Sequence, residues 1–219
     1  KSREIVMEKF PISKFLGLWQ KSIHSAIVKF LDHTKINKDI ETSNSSNGSE
    51  KPLMPSYYKN IRKDILSIVP SDAKNILEIG CAAGMTGNEL KKKPGVYVAG
   101  VELDHNAAIE AKSVLDDVIE GDIEDINLPY ENETFDCLLF ADILEHLKDP
   151  LTVLKKTSKL LKPNGTLIAS IPNVQYLGVV NQLIEGNWTY QDEGILDRTH
   201  LRFFTYHEIE KLFTDAGYE

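Results

Sequence analysis

Beyond Pro55 the chain alternates short apolar runs with stretches in which apolar residues recur every three or four positions. The runs predict strands at Asn75–Ile79, Val96–Glu102, about Asp117–Glu120, Phe135–Phe140 and Thr166–Ser170. The helical spacing predicts helices over Tyr58–Val69, Gly87–Lys92, Ala107–Val114, Leu151–Leu161 and Tyr206–Ala216. Strands that alternate with helices imply parallel neighbours, because parallel pairs need crossover connections. The expected fold class is α/β: a doubly wound, Rossmann-like, mostly parallel sheet with helices on both faces.

The pattern ahead of Pro55 differs. Phe15, Leu16, Trp19, Ile23, Ala26, Ile27, Phe30 and Leu31 share one face at helical spacing, so residues 1–40 read as a helical N-terminal extension. That face needs a partner: its own domain, a neighbouring subunit in a homodimer, or a membrane surface. Residues 41–55 contain the polar, turn-rich run Glu41 to Glu50 and read as a flexible linker. The globular domain is expected over 56–219.

Composition narrows the partners. A formal net charge of -8 over 219 residues argues against nucleic acid, which needs clustered Lys or Arg to meet its phosphates. No apolar run approaches the ~20 residues of a membrane span. Two cysteines, Cys81 and Cys137, lie in apolar strand-like contexts, which suggests free thiols in a reducing, cytoplasmic compartment. The chain begins at Lys1 without a signal layout and reads as a fragment or a processed product.

In Ile76-Leu-Glu-Ile-Gly-Cys-Ala-Ala-Gly84 a buried strand runs into small residues and then a helix, so backbone can approach a ligand and helix N–H groups can face it. The strand that follows ends in Glu102, where an acid meets ribose hydroxyls in doubly wound folds. A dinucleotide enzyme would share this much. Glu78, two residues before the first glycine, and Gly121-Asp122-Ile123 after the third strand have no role in a nicotinamide dehydrogenase.

With Leu77–Gly84, Gly100–Glu102, Glu120–Glu124, Phe135–Phe140, Leu144-Glu-His-Leu147 and Leu161-Lys-Pro-Asn-Gly-Thr166 in this order, the chain resembles the class I S-adenosylmethionine (SAM) dependent methyltransferases. The resemblance implies SAM as cofactor. Glu78, Gly80, Cys81, Ala82 and Gly84 would surround its methionine part, Glu102 and Leu103 the ribose, Asp122 and Ile123 the adenine, with Ala141 near the methionine end. Ala82 departs from the family, where a glycine is common. Complete members end in an antiparallel hairpin, so a domain stopping at Glu219 is expected to lack it and to be C-terminally incomplete. More narrowly, Ser170-Ile-Pro-Asn-Val174, Gly186-Asn-Trp188 and Leu196–Thr205 look like bacterial methyltransferase domains found alone or fused to cell-surface glycosyltransferases. This implies a carbohydrate, glycoconjugate or small-molecule hydroxyl as acceptor and a glycosyltransferase as partner. A SAM-binding module without turnover, supporting such a partner, is the alternative.

The chemistry is expected after the fourth strand. On a helix, Asp142, Glu145 and His146 share a face and, with His200, offer an oxygen-rich set for Mg2+ or Mn2+. The spacing is similar to that of ubiquinone-biosynthesis and small-RNA methyltransferases. Asp142 and Glu145 equally suit a helix-capping box, which involves no ion. His146 or His200 is the candidate catalytic base. Trp188, Tyr190, Asp197, Arg198 and Arg202 crowd one segment and form either a substrate lid or a surface excursion whose arginines pair with nearby acids.

Overall fold

The computed structural model describes residues 60–218. The N-terminal helix and the linker lie outside the described residues, as does the start of the helix expected from Tyr58. In chain order the elements are α1 (Lys63–Ile68), β1 (Asn75–Ile79), α2 (Met85–Leu90), β2 (Tyr97–Glu102), α3 (His105–Lys112), β3 (Asp117–Glu120), β4 (Phe135–Ala141), α4 (Pro150–Ser158), β5 (Leu161–Ser170), α5 (Leu177–Ile184) and α6 (Tyr206–Asp215). A 3-10 turn, Leu144–His146, follows β4.

The five strands pair in the order β3-β2-β1-β4-β5, and every pairing is parallel. A parallel sheet is covered on both faces, so its central strands are apolar throughout rather than alternating. In β4, Leu138 and Phe140 join one core with Val153 and Leu154 of α4 and Phe213 of α6. Cys137 and Leu139 join the other, with Ile65 of α1, Leu90 of α2 and Ala108 and Ala111 of α3. Successive side chains of one strand therefore feed two cores.

Local chemistry sets the helix starts. Asp104 accepts the Ala107 N–H at 2.9 Å ahead of α3, and Asp149, followed by Pro150, accepts the Thr152 N–H at 3.0 Å ahead of α4. Both are side-chain N-caps that satisfy otherwise unpaired donors. Two features differ from the sequence expectation. Strand β5 begins at Leu161, which pairs with Phe135 before Thr166 resumes the ladder opposite Cys137. The residues between, Pro163 and Gly165 among them, bulge out and conceal the first contact. Helix α5 lies in a stretch to which the spacing assigns no element.

Strand order reverses between β1 and β4, and the carboxyl ends of these two strands open the crevice where doubly wound sheets bind ligands. Backbone strain sits on both sides of it. Ala82, after β1, has φ +49, and Asp142, after β4, has φ +56, a region that side chains other than glycine rarely occupy.

Candidate active site

The loop after β1 crosses the end of β2: the N–H groups of Gly80 and Cys81 both donate to the Val101 carbonyl, at 2.8 and 3.0 Å. Gly80 has φ +71, and a Cβ there would lie 2.0 Å from Ile143 Cδ1, so the loop and the segment after β4 touch through a missing side chain. Glu102, almost fully buried, accepts the Ala82 N–H at 2.7 Å and the Asp104 N–H at 2.8 Å, one on each carboxylate oxygen. The acid expected at the ribose thus also ties down the loop, and each oxygen keeps a second lone pair for a ligand hydroxyl. Leu103 beside it is exposed, and Ala141 is half-buried at the end of β4.

Glu78 lies under this loop at 3% exposure. Burial, with the Glu102 charge adding to it, raises its carboxyl from the ordinary 4.5 to about 8, so it is neutral at pH 7. The same burial and the two acids push the Cys81 thiol far up, which leaves it unreactive.

The loop after β3 is fixed from below. Lys156 of α4 donates to the carbonyls of Ile123 and Ile126 at 2.6 and 2.5 Å, and Glu124 accepts the N–H groups of Lys148 and Asp149. Asp122 turns the loop by accepting the Glu124 N–H at 2.8 Å, and Ile123 is buried. Lys156 escapes a sequence reading because its work is on backbone oxygens.

After β4, the structure gathers Glu145, His146 and His200, each offering one ligand atom within 4.8 Å of the others. Glu145 is 1% exposed and neither carboxylate oxygen has a hydrogen-bond partner; burial raises its carboxyl to about 8. Its main-chain carbonyl accepts the N–H groups of Leu201 and Arg202 at 2.8 and 3.0 Å, which brings the distant His200 alongside. The His200 Nδ1 donates to the Ile195 carbonyl at 3.1 Å, which leaves Nε2, 4.0 Å from Glu145 Oε1, on the side of the carboxyl. His146 Nδ1 faces the Thr199 carbonyl and hydroxyl, both at 3.3 Å, and that hydroxyl donates to Asp197 at 2.6 Å. His146 is therefore also the Nδ1–H tautomer. Burial and the neighbouring His200 lower its pKa, which keeps it neutral.

Asp142 does not join them. It pairs with Arg62 Nη1 and accepts the Ser170 hydroxyl at 2.7 Å. Nor does it cap a helix with Glu145: the turn is 3-10, Ile143 is its N-cap, and no side chain caps it. A four-residue helical spacing does not apply to a single 3-10 turn.

The segment expected as a lid divides. Trp188 and Tyr190 meet Phe203, with ring centroids at 5.3 and 6.1 Å, and Phe203 lies 6.2 Å from His200, which lies 4.8 Å from His146. This makes a chain of rings from the surface to Glu145. Asp197 organises the turn that presents Thr199. Arg198 pairs with exposed Asp192, and Arg202 donates to the carbonyls of Leu201 and Lys148. Thr199 and Phe203 were not singled out by sequence; the Asp197-x-Thr199 spacing is an Asx-turn signal that points to the first.

Among the described residues no helix is long and apolar enough to cross a membrane. The strand order, the glycine loop and the buried acid at the end of β2 together define the class I methyltransferase fold. Residues 54–219 match the family described as "Methyltransferase domain", and the chain belongs to it; its members are SAM-dependent methyltransferases. A solved SAM-dependent methyltransferase from Thermotoga maritima is 25% identical, with a TM-score of 0.56 over 72% of this chain and 69% of that one. Similar curated proteins include a ubiquinone biosynthesis O-methyltransferase from Coxiella burnetii, 27% identical over 65% of this chain and 62% of its own length. An uncharacterized protein from Haemophilus influenzae is 32% identical over 53% of this chain and 49% of its own length. The chain thus spans between about half and three-fifths of these two curated relatives.

Proposed function

We propose that this chain transfers a methyl group from SAM to a hydroxyl of a sugar, glycoconjugate or small metabolite at the Glu145–His146–His200 cluster. The observation that carries this reading is Glu145: a buried carboxyl with both oxygens unpartnered, grouped with the His146 and His200 rings and joined to the loop after β1 through the approach of Ile143 to Gly80. A buried acid without partners costs stability and is retained for a ligand or a proton.

SAM supplies a methyl group already activated as a sulfonium, so the protein's task is alignment. The Gly80–Gly84 loop and Glu78 would cradle the methionine part, Glu102 the ribose hydroxyls and Asp122 with Ile123 the adenine; Gly80 without a Cβ and the free lone pairs of Glu102 fit that use. The acceptor hydroxyl would lie against His146 and His200, and with no ion in the cluster an imidazole Nε2 can accept its proton. With a divalent cation held there by Glu145, His146 and His200, the imidazole lone pairs bind the ion instead, and the ion would lower the pKa of that hydroxyl. Trp188, Tyr190 and Phe203 offer ring faces on which a sugar or another ring can rest. The ubiquinone-pathway O-methyltransferase among the relatives favours oxygen as the accepting atom.

Calorimetric titration with S-adenosylhomocysteine and, separately, NAD tests the cofactor: binding of the first alone is expected, and no binding of it overturns the reading. Label transfer from methyl-labelled SAM to a panel of sugar, phenol and amine acceptors tests the chemistry. Transfer to hydroxyls is expected, and transfer confined to amines overturns it.

A further inference from the structure

We propose that Arg62 sets the ion selectivity of the Glu145–His146–His200 cluster by holding Asp142 out of it. This rests on the cation reading above and names the class of ion: an imidazole-preferring one such as zinc, cobalt(II) or iron(II), rather than magnesium.

Sequence spacing alone offers two carboxylates and two imidazoles, a mixed set compatible with magnesium or manganese. The fold separates one carboxylate. Asp142 leaves β4 in the left-handed region, which turns its side chain toward β5, where the Ser170 hydroxyl meets Oδ1 and the Arg62 guanidinium meets Oδ2. Arg62 is itself held on several sides. Its Nη2 donates to Ser170 Oγ at 3.0 Å and to Asp64 at 2.6 Å, its Nε donates to Asp64 at 3.0 Å, and its backbone N–H donates to Thr86 Oγ1 at 3.2 Å. Fork-like guanidinium pairing of this kind is directional as well as strong.

What remains in the cluster is two imidazoles and one carboxylate. That is the donor set of catalytic zinc and non-haem iron(II) sites, with positions left open for substrate oxygen. Magnesium prefers an all-oxygen, near-ideal octahedral shell, and a set in which two of three protein donors are imidazoles disfavours it relative to zinc or iron(II). Bonds of about 2.1 Å place ligand atoms roughly 3–4 Å apart, so the present separation, within 4.8 Å, closes with small side-chain adjustments. On both imidazoles Nδ1 is engaged by a main-chain oxygen, that of Ile195 for His200 and that of Thr199 for His146, which leaves Nε2 as the nitrogen for an ion.

Ion binding to the untagged full chain, read by calorimetry and by the visible spectrum of Co2+, tests this without reference to turnover. Zinc is expected to bind at least about 100-fold more tightly than magnesium. Asp142→Asn, which keeps a residue tolerant of the left-handed region, is expected to leave zinc affinity within about twofold, whereas Glu145→Gln weakens it at least about tenfold. Arg62→Met, by freeing Asp142, is expected to raise magnesium affinity about tenfold. A loss with Asp142→Asn equal to that with Glu145→Gln, equal zinc and magnesium affinities, or an Arg62→Met chain with unchanged magnesium affinity overturns the proposal while leaving the cation site intact. Failure of the wild-type chain to bind any ion overturns the cation reading and this proposal with it, and S-adenosylhomocysteine binding then still reports on the cofactor reading.

Discussion

Glu78 permits a quantitative test of how burial loads the loop after β1. Its carboxyl titrates near 8 in the fold against an ordinary 4.5. The folded value is raised, so the fold favours the neutral acid: the associated stability is fully present below pH 4.5 and is lost as pH rises toward 8. At pH 7 the loss is about 2.5 units of 1.36 kcal/mol, or on the order of 3 kcal/mol. Glu78→Gln removes the titration while keeping an oxygen for the Gly87 N–H. The new amide group, at an oxygen that has no partner in the wild type, costs about 1 kcal/mol at every pH. The variant is therefore expected to gain on the wild type as pH rises, by roughly 6–12 °C in Tm between pH 4 and pH 7 for a domain of this size. Scanning calorimetry of both proteins without ligand, across that range, reads the difference directly, because titrating groups that do not interact with Glu78 cancel in it. A wild-type-minus-variant Tm that is the same at pH 4 and pH 7 refutes the assignment of a neutral, buried Glu78.

Gly80→Ala places a methyl 2.0 Å from Ile143 Cδ1 at φ +71, so a loss of about 2–4 kcal/mol in denaturant unfolding and weakened S-adenosylhomocysteine binding are expected. Ala82→Gly is expected to act in the opposite direction, stabilising by about 1 kcal/mol, because Ala82 already carries its Cβ at φ +49. Lys156→Met unties the Ile123 and Ile126 carbonyls; S-adenosylhomocysteine affinity is expected to fall about tenfold by calorimetry, while an analogue lacking the adenine amine loses less. Equal losses for both ligands would show that Lys156 acts on the whole site rather than on the adenine loop.

Much of this arrangement is legible in the chain because it depends on local pattern. The strands β1 and β4 are recognisable from apolar runs, α3 and α4 from spacing, and the loop at Gly80 from small residues placed between a strand and a helix. Glu102 is legible for the same reason: it ends a strand. Legibility fails where a residue's neighbours come from far along the chain. The β5 bulge hides behind Pro163 and Gly165, helix α5 is only eight residues long with a glycine and β-branched valines in its first half, and Arg202 looks like a ligand-binding cation while it serves two backbone carbonyls.

The α/β alternation, the family and the kinds of side chain available after β4 are written in the chain, since they follow from periodicity and from chemistry carried within short segments. How those side chains group is a matter of the folded backbone. Asp142 and Glu145 are three positions apart, yet a left-handed residue and a 3-10 turn send one to Arg62 and the other into the core. His200, more than fifty positions on, is brought beside Glu145 by two backbone hydrogen bonds. Spacing along a chain fixes direction only where the backbone between is regular, and at this strand end it is not.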